Sequence, residues 1–310
     1  MSQIVTLTMN PAIDRILSID HVMSEHKLRC ESVRRDPGGG GVNVTRGIHE
    51  LGGDSLAVFT CGGYTGAMYR ELLDVEGLPN LPVPIAGLTR EHIMVIETST
   101  GRDYRFGERG PELSAQEVEQ CLRAVCELDC APDYLVLSGS LPPGAGDDFY
   151  ARVIEAVDDR TRIVIDANAP ALRPALEVGV YLLKPNAREL SELVGRAVEG
   201  RQEIEAASRQ FVDAGQAEVV VASLGAGGSI LVTADLAVRV PAPAVRVASK
   251  VGAGDSMVAG MVLALDRGEP LLNAVRFGTA TGAAAVMDPE TGLGSRDTAE
   301  CLYAEMLAEA

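Results

Sequence analysis

Short runs of consecutive apolar and β-branched residues recur along the chain, each closed by glycine, proline or a polar residue. IVTLTM (4–9) stops at Asn10-Pro11; SLAVFT (55–60), YLVLS (134–138), RIVID (162–166), VYLL (180–183) and EVVVAS (218–223) follow. Runs without a polar alternation predict strands buried on both faces. Between them the apolar positions take helical spacing over 41–51, 65–76, 114–128, 147–158, 186–194 and 201–214. The first helix stops at Gly52-Gly53, a termination signal. From Gly254 onward the chain is Ala- and Gly-rich and reads as mostly helical. This alternation predicts an α/β fold of three layers, a mostly parallel central sheet with helices on both faces.

Two segments break the alternation. Residues 15–35 and 81–107 read as strands without intervening helices, and Thr100-Gly101 suits a hairpin turn. They predict a small β-sheet lid or interface on one domain spanning 1–310. No linker, low-complexity stretch or internal repeat divides the chain.

Composition sharpens the core. Hydrophobic residues make up 46 %, aromatic ones only 4 %, and Trp is absent, so the core must be aliphatic and packed with Ala and Gly. The net charge of −17 repels phosphate backbones and anionic lipid, which argues against nucleic-acid and membrane partners. A small phosphorylated ligand then needs its own local cations. No apolar run reaches the roughly 18 residues of a membrane span, and MSQIVTLTMN lacks a basic leader, so we expect a cytoplasmic protein. Six Cys without a CxxC pair read as intracellular thiols, and four His show no zinc-ligand spacing. The only lysines are Lys27, Lys184 and Lys250, and each adjoins a motif described next.

Four glycines in Pro37-Gly-Gly-Gly-Gly-Val-Asn43 lead straight into a helix. Such a run lets backbone approach a ligand, the helix N-terminus offers free N–H groups, and Asn43 adds a polar contact. The plainer alternative is a flexible turn. Val251-Gly-Ala-Gly-Asp-Ser-Met257 opens an apolar helix: the amides of Gly252, Ala253 and Gly254 can form an anion hole. Asp255 is then either a helix-capping carboxylate or a general base. Lys184-Pro-Asn186-Ala-Arg-Glu189 places Asn186 and Glu189 three apart at a helix start, either as a capping box or as a weak Mg²⁺ hold. Ser223-Leu-Gly-Ala-Gly-Gly-Ser229 follows a strand and is either a phosphate cradle or a hairpin turn. The chain has no GxxxxGK[ST], no GxGxxG after its first strand and no GxSxG, which removes P-loop NTPases, Rossmann dehydrogenases and α/β-hydrolases.

TLTMNPAIDR, HKLRC, DPGGGGVNVTRGIHELGG, LSGSLPPG, LLKPNARE, SLGAGG and VGAGDSM together resemble, in order, the motifs of the ribokinase-like (PfkB) carbohydrate kinases. The resemblance covers nearly the whole chain. Within the family it is greatest to the PfkB-type 6-phosphofructokinases, which share KLRC and four unbroken glycines. The 1-phosphofructokinases and tagatose-6-phosphate kinases typically read GGKG, and Gly40 takes that lysine's place here.

The resemblance implies an ATP- and Mg²⁺-dependent kinase acting on fructose 6-phosphate, a ribokinase-like fold, and a homodimer formed through the β lid. It implies that Asp255 is the base. Asp14, Gly39, Asn43 and Ser138 match sugar contacts, and Lys27, Arg29 and Arg90 match the clamp for the sugar's phosphate. Lys184, Asn186, Ser223, Gly225 and Gly228 match nucleotide contacts, and Glu189 matches the acid that helps hold Mg²⁺. Many relatives read DTTGAGD where this chain has SKVGAGD, which bears on a monovalent-cation site, such as one for K⁺, at the carbonyls of Ser249 and Val251. A non-catalytic sensor of sugar phosphate and nucleotide is the alternative from another class, and retention of Asp255 argues against it.

Overall fold

A computed structural model describes residues 3–249, 251–288 and 293–308, so Lys250 lies outside the described residues. The first half of the chain forms β1 (Ile4–Thr8), β2 (Ala12–Ile19), β3 (Ser32–Gly38), α1 (Gly40–Glu50), β4 (Leu56–Cys61), α2 (Gly63–Val75) and β5 (Asn80–Pro84). Next come β6 (Arg90–Glu97), β7 (Arg102–Gly107), α3 (Ala115–Cys126), β8 (Tyr134–Ser138), α4 (Phe149–Ala156) and β9 (Arg162–Asp166). Beyond them lie α5 (Ala169–Val178), β10 (Val180–Leu183), α6 (Ala187–Val194), α7 (Gly200–Asp213) and β11 (Ala217–Ser223). The chain closes with β12 (Ser229–Val232), β13 (Ala237–Val240), α8 (Ala253–Asp266), α9 (Leu271–Met287) and α10 (Arg296–Ala308).

The large sheet runs β13-β12-β11-β10-β9-β8-β1-β4-β5. It is parallel from β11 to β5, and β12 pairs antiparallel with both β11 and β13. Because alternate side chains leave a strand on opposite faces, each apolar run supplies two cores. Val5, Leu7, Leu135 and Ile165 pack under helices α3 to α7, with Phe149, Leu172 and Phe211. Ile4, Val136, Val164 and Leu182 pack on the other face with Val44, Met257, Val258 and Phe277 of α1, α8 and α9. These are the three layers predicted from the pattern.

The second sheet has the order β3-β2-β6-β7, with β2 and β6 parallel and the outer pairs antiparallel. It leaves the domain exactly where helix was missing from the pattern, but the boundaries differ. β2 begins at Ala12 and β3 continues to Gly38, whereas LPVP of the second segment belongs to β5, at the edge of the large sheet. Prolines 82 and 84 are tolerated there because an edge strand has a free side. Helix α5 was not expected: Pro170 and Pro174 mask its pattern, Pro170 sitting in the first turn, where its missing N–H costs nothing. The SLGAGGS segment is the hairpin turn between β11 and β12, with Leu224 N–H donating to the Gly228 carbonyl.

The glycine run is not a loose turn. Gly38 ends β3, and α1 starts at Gly40, so the glycines bridge the two sheets. Their backbone is held from behind: Tyr69 OH donates to the Gly38 carbonyl (2.8 Å), and Arg46 Nη1 to that of Pro37 (3.3 Å). Arg46 is buried and forms a two-pronged pair with Glu76, both contacts at 2.7 Å, while Glu76 is about a third exposed. Removing the acid strands a buried guanidinium; removing the base leaves a carboxylate that water can reach. Glu76→Ala is therefore expected to cost roughly 2–3 kcal/mol, more than Arg46→Met, and urea unfolding of both variants measures the order.

Candidate active site

The carboxyl ends of β8, β9 and β10 meet the first turns of α1 and α8 around a cavity of about 350 Å³. It lies beside the place where the strand order reverses, with β1 between β8 and β4, the usual position of ligand sites in open parallel sheets. Gly40, Ser138, Asp166, Lys184, Asn186, Glu189, Gly252, Gly254 and Asp255 all line it.

Asp255 sits in the first turn of α8, after Gly252 in the left-handed conformation (φ 77°). Its carboxylate makes no capping bond; instead Asn43 Nδ2 donates to its Oδ2 at 2.9 Å. Burial pushes the Asp255 carboxyl up to about 7, and the negative charge of Asp166 adds to the rise against the pull of Asn43 and Lys184. Lys184 is only 4 % exposed and pairs with Asp166, Nζ to Oδ2 2.9 Å. Burial works against its ammonium, but Asp166, Glu189 and Asp255 together outweigh it and hold its pKa above the ordinary lysine value. A Cβ on Gly254 would stand 3.6 Å from Lys184 Nζ, so the ammonium and the α8 N-terminus face one space.

Asn186 and Glu189 do form the capping box: Asn186 Oδ1 accepts from the Arg188 and Glu189 amides (3.0 Å each), and Glu189 Oε2 accepts from Asn186 N–H (2.8 Å). Glu189 nevertheless lines the cavity, and burial raises its carboxyl. The capping box is therefore present, and the same carboxylate faces the cavity. Ser223, at the end of β11, forms a backbone bridge with Asn186, while Gly225 and Gly228 shape the adjoining hairpin turn. None of these three lines the cavity itself.

A second cavity of about 450 Å³ opens under the edge of the lid, between Asn10, Arg90, Arg109, Ser140 and the 141–147 loop. Arg90 Nε and Nη2 donate to the Asn10 carbonyl (3.2 and 2.8 Å) and Nη1 to that of Glu108 (2.7 Å). Burial lowers its pKa while Asp14 and Glu108 raise it. Asp14 packs its carboxylate on Gly38, where a Cβ would overlap it, and has His92 Nδ1 at 3.4 Å across the sheet. Gly39, at φ 123°, has no space for a side chain between Thr8 and Pro11. Lys27 and Arg29 lie on the exposed connection between β2 and β3 and do not line this cavity, so the structure does not bring them to Arg90. Ser249 and Val251 precede α8; Ser249 N–H donates to the Val286 carbonyl, and Val251 N–H to Ser249 Oγ (3.2 Å).

Sequence reasoning missed Asp166, Ser140, His92 and Arg109. Asp166 ends the RIVID run, and the carboxyl end of a parallel strand was the available signal. Ser140 lines both cavities and stands two residues beyond Ser138, whose side chain is buried. Nothing in the sequence pattern marks His92 or Arg109.

The family model described as pfkB family carbohydrate kinase matches residues 7–298. The chain belongs to the PfkB family. An ATP-dependent 6-phosphofructokinase isozyme 2 of Mycobacterium tuberculosis is 42 % identical over 308 residues, 99 % of this chain and 90 % of its own. The enzyme of that name from Escherichia coli K12 is 38 % identical over 306 residues, 98 % of this chain and 99 % of its own. The solved structure of E. coli phosphofructokinase-2 in complex with fructose-6-phosphate has a TM-score of 0.93 at 37 % identity, covering 99 % of this chain and 100 % of that one. The same enzyme has been solved in complex with potassium (TM-score 0.95) and in a tetrameric inhibited form (0.93). The fold is thus the ribokinase-like α/β fold, and the chain is a kinase of that family.

The half-buried Asp255 links stability to pH. Its carboxyl rises from the ordinary 3.8 to about 7 on folding, so between those values the native state holds the additional proton. Stability therefore falls as pH rises through that window. Asp255→Asn removes the burden: at pH 8 the variant is expected to melt about 6 °C above wild type, equivalent to roughly 4 kcal/mol, with the gap closing toward pH 4. Calorimetry at the two pH values measures it.

Proposed function

We propose that the protein transfers the γ-phosphoryl group of ATP to the 1-hydroxyl of fructose 6-phosphate, giving fructose 1,6-bisphosphate and ADP. The observation that carries this reading is Asp255: a half-buried carboxyl raised to about 7, oriented by Asn43, in the first turn of a helix opened by Gly252, Ala253 and Gly254. A base of that pKa is matched to neutral pH. It takes the sugar hydroxyl's proton as the oxygen attacks phosphorus and the bond to the ADP oxygen breaks. The amides of 252–254 and the Lys184 ammonium face the charge that develops, which is the main demand of phosphoryl transfer.

Lys184, Asn186, Ser223, Gly225 and Gly228 form the nucleotide side of this arrangement. Asp14, Gly39, Asn43 and Arg90 form the sugar side, with Ser140 better placed than Ser138 because it lines both cavities. Lys27 and Arg29 contribute only if their connection folds over the lid's mouth. Asp166 and Glu189 are the carboxylates suited to Mg²⁺. Among the described residues no three His, Cys, Asp or Glu side chains cluster as a chelate, which fits an ion held largely through water and nucleotide phosphate. When bound, Mg²⁺ supplies charge neutralisation. The carbonyls of Ser249 and Val251 are our candidates for a K⁺ site, supported by the potassium complex of the E. coli enzyme.

Fructose 6-phosphate is preferred over fructose 1-phosphate and tagatose 6-phosphate because Gly40 cannot carry a side chain here: its Cβ would overlap Ser138 Oγ and stand 2.9 Å from the Gly139 nitrogen. The lid leaves Met23, Val33 and Phe106 exposed, and we infer a homodimer formed through it. The tetrameric form of the E. coli enzyme shows that larger assemblies occur in a relative. No helix among the described residues is long and apolar enough to cross a membrane, and we place the enzyme in the cytoplasm with the pathway that uses its product, glycolysis.

ADP release measured across fructose 6-phosphate, fructose 1-phosphate, tagatose 6-phosphate and ribose tests the substrate, and a preference for any of the last three overturns it. Asp255→Asn is expected to lower kcat by roughly 10²–10⁴-fold; a variant keeping a tenth of wild-type kcat would reduce Asp255 to a structural residue. Glu189→Gln should raise the Mg²⁺ needed for half-maximal rate while the KM for sugar changes little. An unchanged Mg²⁺ titration leaves Glu189 with its cap alone.

A further inference from the structure

The cavity under the lid contains two guanidinium groups, and the kinase reading has used only Arg90. Arg109 lines the same cavity from the segment that leaves β7. Neither arginine takes part in an ion pair among the described residues, and the three hydrogen bonds of Arg90 go to carbonyls. Asp147 is the one carboxylate among the residues lining the cavity. Asp14 and Glu108 also act on Arg90 from nearby, but among the lining residues two cations stand with one acid in a chain of net charge −17.

Arg109 is exposed, but its backbone is held in place. Asn10 Nδ2 donates to the Arg109 carbonyl at 2.9 Å and also reaches Ser140 Oγ at 3.3 Å. The next residue, Gly110, has φ +96° and lies so close to the Asn10 amide that a Cβ there would overlap it. One side chain thus fixes the backbone of Arg109 and the serine on the opposite wall. The same Asn10 fixes Arg90 through its own carbonyl. Lys27 and Arg29, by contrast, do not face this space.

We propose that Arg109 is a second substrate-touching cation of this site, holding, together with Arg90, the phosphomonoester of the sugar phosphate. A phosphomonoester dianion carries enough oxygens for two guanidinium groups, and guanidinium forks match them in pairs. The arrangement makes Arg109 a determinant of selectivity for phosphorylated over neutral sugars. The inference rests on the sugar-phosphate kinase reading, and the experiment separates the two.

Steady-state kinetics of the full chain with fructose 6-phosphate, fructose and ATP provide the test. Wild type is measured first: failure to prefer fructose 6-phosphate over fructose overturns the kinase reading itself. With that preference established, Arg109→Ala should raise the KM for fructose 6-phosphate about tenfold, as loss of one charge-assisted contact implies. The ratio of kcat/KM for fructose 6-phosphate to that for fructose should shrink by about the same factor. Arg109→Lys, which keeps a point charge, should recover about half of that loss on a logarithmic scale. The thermal shift induced by fructose 6-phosphate should shrink in Arg109→Ala while that induced by ATP persists, a readout independent of turnover. A KM for fructose 6-phosphate within twofold of wild type overturns the assignment, and so does a loss that falls equally on the KM for ATP. The latter would place Arg109 on the nucleotide's phosphates.

Discussion

The first turn of α1 lies against the ends of β1 and β8 with no space for a side chain between them. At Gly41 a Cβ would stand 2.6 Å from Thr8 Oγ1 and 2.8 Å from the Leu7 carbonyl; at Gly40 it would overlap Ser138 Oγ. This closeness brings Asn43, one turn into α1, to the carboxylate of Asp255 on α8. The glycines thus set α1 against the sheet by backbone contact, while side chains such as Val44, Ile48, Met257 and Val258 pack it against α8. Interiors resist small insertions because they are already close-packed, so the glycines act as a fixed spacer.

The charges of the site are arranged to disagree. Three carboxylates, Asp166, Glu189 and Asp255, share a cavity with one lysine, and Lys184 forms its ion pair with Asp166. A fully neutralised cluster would leave Asp255 ionised at low pH and a weak base. Burial, with the negative charge of Asp166 added to it, raises the carboxyl to about 7 instead, at a cost in stability that the folded chain carries through its large aliphatic cores. Strain of this kind between stability and chemistry is common at functional sites.

Much of this was legible in the sequence, for physical reasons that differ by element. YLVLS, RIVID and VYLL coincide with β8, β9 and β10, because a strand buried on both faces writes an uninterrupted apolar run. Helix α5 was hidden by its prolines, and LPVP was assigned to the wrong sheet because pairing partners leave no mark on a single strand. The glycine run and VGAGD were visible since backbone approach demands rare residue combinations. Asp166, Ser140 and Arg109 were not, since each is a common residue type given meaning only by topology. The family resemblance also grouped Lys27 and Arg29 with Arg90, whereas within the single chain those two lie on an exposed connection and do not line the cavity.

Asn10 receives Arg90 at its carbonyl and holds the Arg109 carbonyl with its amide, while also reaching Ser140. Those contacts join two of the segments that enter or leave the lid to the loop after β8. Asn10, between β1 and β2, is therefore one of the points that tie the small sheet to the large one, and it also lines the cavity beside Arg90 and Arg109. A change at Asn10 would therefore disturb Arg90, the Arg109 backbone and Ser140 together rather than one at a time. Under the proposed reading, breadth of sugar acceptance and grip on a phosphate would then shift together.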